Sequence, residues 1–391
     1  MSGIFDEHVS REGTFSVKYD LREEVFGVKD VIPMWVADMD FKTPDFIISA
    51  LKNRLDHEIC GYSFRPPEYY SSITGWVKRR HDWQIEKDWI SFCPGVVPAL
   101  HFCTLAFTEP GDGIIVQPPV YFPFFPAVEA HGRQLLHNNL NEKNGKWEFD
   151  FEGLETLANK GAKMIFISNP HNPVGRAWTR AELESLAGIC LRHGVTIISD
   201  EIHSDLVLPG CTHTPVASLS KEISEITITL TAPSKTFNLA GLSTSSVIIE
   251  NPALRKRFNA ITEKIHITNG NLFGTIASIA AYSLGDSWLD ELLNYLKENV
   301  RVVEDYCSQF IPEISPVHPE ATYMIWLDCR KTGLSGKELQ KFFITKAGVG
   351  LNEGSTFGAG GEGFMRMNLG TTKATVLKAL DQIKNAFAET R

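Results

Sequence analysis

Short apolar runs recur along this chain, several of them followed by a stretch of helical period. Residues 114–116, 164–167, 195–198, 226–230 and 247–249 are apolar or β-branched over three to five positions, which predicts buried strands. Apolar positions spaced by three and four predict helices over 44–56, 67–81, about 95–107, 179–191, 252–268, 273–284 and 286–310. Thr43 and Pro44 offer an N-cap and first helical residue for the first of these. Thr179 with Glu182 forms a capping-box pattern. An aromatic-rich helix is expected to open at Pro118-Pro119. Beyond the long 286–310 helix come a strand at 322–328, a helix at 335–346, a strand at 364–370 and a final helix from about 372. Strands that are apolar throughout, alternating with helices, predict an α/β fold with a parallel sheet covered on both faces. The change of domain is expected inside the long helix. Residues 1–30 are polar and irregular and read as an arm, and 31–40 mix large apolar groups with Asp38 and Asp40. That segment either crosses a site or is a buried edge with capping aspartates.

Composition narrows the class. The chain has 391 residues, enough for two domains and a large core, and an apolar share of 43% with 22% charged suits a soluble enzyme. A net charge of -9 excludes the basic surface that nucleic acid or an anionic membrane would select. The seven cysteines are scattered, odd in number and without a C-x-x-C pair, so a disulfide framework or zinc site is not expected. The N-terminus lacks a basic and an apolar region of the secretory kind, no run is long enough to span a membrane, and the expected location is cytoplasmic.

The chemistry gathers at loops that follow strands. Lys235 is the only charged residue between Glu225 and Glu250. Burial disfavours an ammonium and lowers its pKa, giving a nucleophilic amine suited to a Schiff base with an aldehyde. Asp200 closes the strand 195–198 with His203 just beyond, and Asn172 lies in a turn built from two Asn-Pro pairs and Gly175. Gly95 opens a helix, with Val96 and Val97 following, and such an N-terminus can receive a phosphate. Tyr121 can stack on a planar ring. Arg366 stands alone among apolar neighbours and can clamp a carboxylate through its planar fork. Together these residues describe a pyridoxal phosphate site with an amino acid substrate.

Asn172-Pro173-Val174-Gly175, Asp200 with His203, Ser234-Lys235, and Arg366 in Met365-Arg366-Met367-Asn368 resemble the class I/II aminotransferase group of fold-type I pyridoxal phosphate enzymes. The stretches 35–41, Gly61-Tyr62, 199–205 and 234–242 resemble its cystathionine β-lyase, or carbon–sulfur β-lyase, branch. The resemblance implies a large domain with a mainly parallel seven-stranded sheet between helices, plus a smaller α/β domain. Residues 1–43 would be the N-terminal arm and part of the small domain, 44–288 the large cofactor-binding domain, and 289–391 the C-terminal small domain. It implies a homodimer with a shared active site, in which Tyr62 reaches the cofactor phosphate of the neighbouring subunit. Gly95, Val96, Val97 and Ser234 would hold the phosphate within the subunit. Tyr121, Asn172, Asp200, His203 and Lys235 would hold the ring. Trp35, Ala37, Asn172 and Arg366 would bind substrate. Lys235 and Tyr121 are the candidate catalytic residues. The chain departs from many aminotransferases at Ser243, where they carry a phosphate-binding arginine, at Ala232 in place of serine, and at His203 in place of tyrosine. The implied reaction is release of thiol, pyruvate and ammonia from L-cystathionine or a related S-substituted cysteine. An aminotransferase on the same scaffold is the second reading, and an idle cofactor-binding protein the third.

Overall fold

The computed structural model describes residues 3–143 and 145–390. Seven strands form the main sheet: β1 Ile90–Cys93, β2 Gly113–Val116, β3 Gln134–His137, β4 Met164–Ser168, β5 Thr196–Asp200, β6 Thr227–Thr231 and β7 Ser245–Ile248. Their order is β1-β7-β6-β5-β4-β2-β3. Only β7 runs against its neighbours; the pairs β2/β3, β2/β4, β4/β5 and β5/β6 are parallel. The sheet is covered on both faces because its strands are apolar at both parities. Met164, Phe166 and Ile198 pack into one core cluster, while Ile165, Ile167 and Ile197 pack into another. Alternate residues of a strand face opposite ways, so each run of four or five feeds two cores.

A second sheet forms from β8 Ser315–Val317, β9 Met324–Asp328, β10 Asn352–Glu353 and β11 Phe364–Asn368, in the order β8-β9-β11-β10 and antiparallel throughout. The helix Asp286–Phe310 supplies Leu289, Leu292, Leu293, Leu296, Val300 and Val303 to its core, and the helix Lys373–Thr390 supplies Val376, Ala379, Leu380 and Ile383. Both sets follow the three-and-four spacing of one helical face. Among the described residues no helix is long and apolar enough to cross a membrane, and all seven cysteines are free.

Local expectations fail where tertiary partners take over. The arm is not irregular: Val17–Asp20 and Arg22–Phe26 are helical, and the Asp20 carboxylate accepts the Gly13 and Ser16 N–H groups. Thr43 does not cap the helix Asp45–Leu55; Pro44 stands at that position with no side-chain hydrogen bond. Tyr121 lies in a turn, and the aromatic helix begins only at Phe124. The helix from Pro252 ends at Lys264, and His266 takes φ 54° just beyond it. Asp38 and Asp40 cap nothing. Both pair with Arg11, at 2.6 and 2.9 Å, and Asp40 also meets the buried Lys18 at 3.0 Å.

Candidate active site

A cavity of about 180 Å³ opens at the C-terminal ends of the parallel strands. This is where a sheet of this kind leaves backbone groups and loop side chains free to converge. β1 leads to Gly95, Val96 and Val97; β4 leads to Ser168 and Asn172; β5 ends in Asp200 with His203 beyond; β6 leads to Ser234 and Lys235. Tyr121 and Ala37 complete the wall.

Lys235 sits on a single helical turn, Pro233–Thr236, and its Nζ donates to the Ala37 carbonyl at 2.5 Å. The same carbonyl accepts the Tyr323 hydroxyl at 2.8 Å. Burial, helped by the positive field of Arg366, lowers the Lys235 pKa to about 8. A shift of that size leaves roughly 300-fold more neutral amine at pH 7 than an ordinary lysine has. Asp200 is buried, and its carboxylate receives one hydrogen bond among the described residues, from the Ile202 N–H at 3.1 Å. Burial outweighs that bond and raises its pKa to about 7. The carboxyl is therefore under-solvated and would gain from a cation placed beside it. His203 is pressed to about 3 by burial and by Lys235 and Arg366, so it is a neutral imidazole, and its Nδ1 has no partner among the described residues. Burial raises the Tyr121 phenol, so it too stays neutral.

Arg366 lies on β11, almost wholly buried. Nη1 donates to Asn172 Oδ1 at 3.0 Å; Nη2 donates to the Trp35 carbonyl at 2.9 Å and to Asn352 Oδ1 at 2.6 Å. Each of these acceptors is neutral, and Nε has none among the described residues. Keeping an ion out of water without a counter-charge costs several kcal/mol. A core built for stability has no use for that arrangement, whereas a site awaiting a carboxylate does. Arginine has only donors, so its bond fixes the Asn172 amide with Oδ1 toward Arg366 and leaves Nδ2 as the donor available to another group.

The helix Val96–Phe107 begins at Gly95, which has no side chain to cap it. No carbonyl of the helix can reach the Val96 and Val97 amides, and they stand at its positive end. With Ser234, Ser243 and Thr244 also on the cavity wall, this end has the donors an anion needs. Among the described residues, Lys235 is the only lysine or arginine on that wall.

Of the sequence candidates, Ala37 lines the cavity, Arg366 and Trp35 stand behind the wall and are joined to it through Asn172, and Tyr62 stays apart. The Trp35 indole N–H donates to the Lys18 carbonyl and its ring stands edge-on to Phe26, while the Trp35 carbonyl meets Arg366. Ala37 offers its carbonyl. Tyr62 is fully exposed and lies away from this cavity. Residues the sequence did not single out hold the segment 35–40 in place. Asn368 Nδ2 donates to the Val36 and Asp38 carbonyls; Asn238 accepts the Met39 N–H and donates to the Met39 and Phe41 carbonyls. Tyr323 also presents its ring edge to His203. The one signal that could have raised Asn368 and Asn238 is an amide in an otherwise apolar stretch.

Residues 29–383 match the family described as aminotransferase class I and II, and the chain belongs to that family. It is 48% identical to cystathionine beta-lyase PatB of Bacillus subtilis (strain 168), over 98% of this chain and all of that one. Cystalysin of Treponema denticola, a crystal structure containing a pyridoxal 5'-phosphate cofactor, superimposes with a TM-score of 0.95 at 38% identity and full coverage of both chains. The pyridoxal-phosphate-bound C-S lyase of Staphylococcus hominis gives 0.92 at 31% identity, over 99% of this chain and 98% of that one. The fold is thus that of fold-type I enzymes, with a mixed sheet of seven strands, mostly parallel.

Proposed function

We propose that the protein is a pyridoxal-phosphate-dependent carbon–sulfur β-lyase that cleaves L-cystathionine or a related S-substituted cysteine to thiol, pyruvate and ammonia. The observation that carries the reading is the pairing of a buried, low-pKa Lys235 with a buried, under-solvated Asp200 in one cavity. The residues fit the cofactor at each of its ends. Lys235 meets its aldehyde. Asp200 would stand against the ring nitrogen and favour its protonated form, which would supply the cation that its carboxylate lacks. His203 and the free Asn172 Nδ2 suit the ring oxygen, Tyr121 the ring face, and the amides after Gly95 with Ser234 the phosphate. The bound cofactor supplies an electron-withdrawing ring able to accept the electron pair left at the substrate Cα.

The remaining work falls to this chain. Arg366 holds the substrate carboxylate, answering the counter-charge it lacks, with Asn172 and the backbone at Ala37 beside it. Lys235, once released as a neutral amine, takes the Cα proton; its low pKa makes that form available near neutrality. A β-lyase liberates thiol from L-cystathionine with no α-keto acid present. Thiol appearing under that condition tests the reading, and thiol-free exchange of amino groups with an added α-keto acid would contradict it.

The lysine pKa has its own consequence. The rate at which the cofactor-free protein captures pyridoxal phosphate, read from imine absorbance, is expected to rise about tenfold per pH unit below pH 8 and to level above it. A rate still climbing tenfold per unit between pH 9 and 10 would mean that Lys235 is an ordinary exposed amine.

We also propose a homodimer, in which Tyr62 of one subunit completes the phosphate site of the other. Two features support it: Ile59, Tyr62 and Phe64 form an exposed apolar stretch, and among the described residues no arginine lines the anion end of the cavity. Sedimentation should give twice the chain mass of 43.7 kDa. A monomer with full activity would remove Tyr62 from the site. The scattered free thiols support a cytoplasmic location.

A further inference from the structure

Lys235 must be aimed, and one helical turn cannot aim it unaided. Pro233–Thr236 closes with the Phe237 N–H on the Pro233 carbonyl at 2.9 Å and the Leu239 N–H on the Ser234 carbonyl at 3.0 Å. An isolated turn fixes several dihedrals for very few bonds and is unstable by itself. The residue after the lysine is tied down more firmly. Thr236, fully buried, donates its Oγ1 to Asp205 Oδ2 at 2.8 Å. Asp205 Oδ1 takes the Trp76 indole N–H at 2.9 Å and His81 Nε2 at 2.8 Å. Burial works against charge on Asp205, yet the donors His81, Thr236 and Trp76 together hold its carboxyl below the usual range. The His81 ring stands edge-on to His213 at 5.1 Å, and His213 Nε2 meets Glu201 Oε2 at 2.9 Å. Glu201 also accepts Ser199 Oγ and the Val216 N–H, and it adjoins Asp200 in the chain. None of Thr236, Asp205, His81, His213 or Glu201 lines the active cavity.

We propose that Asp205, acting through Thr236, is a positioning residue that fixes the turn carrying Lys235 and so sets where the amine enters the cavity. Burying carboxylates in a core is expensive unless every oxygen is satisfied. Here the expense serves to tie the turn that follows β5, the helix Pro67–His81 and the lysine turn to one point. The proposal rests on the proposed function only in taking Lys235 as the amine that reacts.

The test compares Thr236→Val, which keeps the side-chain shape and removes the donor, with Thr236→Ser, which keeps the donor. Each cofactor-free protein is mixed with pyridoxal phosphate, and the rate of imine formation is followed; kcat and KM for L-cystathionine are then measured on the loaded enzyme. Thr236→Val is expected to slow capture about tenfold and to lower kcat with KM nearly unchanged, because a misaimed group reacts slowly without binding less. Thr236→Ser should restore capture to within about twofold. Wild-type capture by Thr236→Val would overturn the proposal. Should that variant not fold, Asp205→Asn, of equal size, is expected to show the same slow capture, and wild-type capture there would be equally fatal. Capture needs no turnover, so a wild-type protein that releases no thiol would defeat the β-lyase reading and leave this test intact.

Discussion

Lys235→Ala is expected to reduce thiol release by at least about 10⁴-fold. In the proposed function two roles of Lys235 would be lost together: the amine that would hold the cofactor covalently and the base that would take the Cα proton. A positioned general base alone contributes about 10²–10⁴-fold, and the lost nucleophile adds to this. The fold should not suffer. Nζ makes one hydrogen bond, to the Ala37 carbonyl, and Tyr323 continues to occupy that carbonyl after the substitution. Thermal unfolding of the variant is therefore expected at or above the wild-type temperature, since a desolvated amine has been removed. Added small amines should recover part of the rate by supplying the missing base. A variant that keeps a tenth of wild-type activity would place the reacting amine elsewhere.

Asp200→Asn is expected to lower kcat by about 10²–10³-fold, the usual loss when one preorganised electrostatic partner leaves a water-poor site. The amide keeps the volume and can still accept the Ile202 N–H, so binding of the cofactor should persist. What it cannot do is hold a positive charge on a ring nitrogen. In the protein as it stands, burial favours the neutral form of the carboxyl, opposed by the Ile202 N–H and the charge of Lys235. A protonated ring nitrogen would reverse that preference and keep Asp200 ionised well below neutrality. The two groups therefore stabilise each other's charge, and the asparagine ends the exchange. Steady-state kinetics with the cofactor saturating would check this; an Asp200→Asn enzyme within threefold of wild type would show that the ring needs no anion.

Much of this was legible in the sequence. Apolar runs of three to five residues announced the strands because a sheet covered on both sides demands them. A lone lysine in a 24-residue stretch without other charge stood out for the same reason that makes it reactive: a charge is rarely placed there without use. Asp200, Asn172 and Gly95 lay at predicted strand ends, where loops converge. What escaped notice is set by partners far along the chain. Asp38 and Asp40 carry no local sign that Arg11 and Lys18 will meet them, and Thr43 looks like a cap until the segment 35–41 is drawn across the site by Asn238 and Asn368. Tyr323 and Asn352 matter only because β9 and β10 bring them to Ala37 and Arg366. Asp205 lies in the same stretch as Asp200 and His203, yet its contact with Thr236 spans 31 positions.

The choice between elimination and amino transfer turns on what leaves the site, and pyruvate reports it most directly. The cofactor-loaded protein should release pyruvate from L-cystathionine over many turnovers with no α-keto acid added, and Lys235→Ala should release none. Pyruvate absent under that condition, with amino transfer beginning once an α-keto acid is supplied, would contradict the β-lyase assignment.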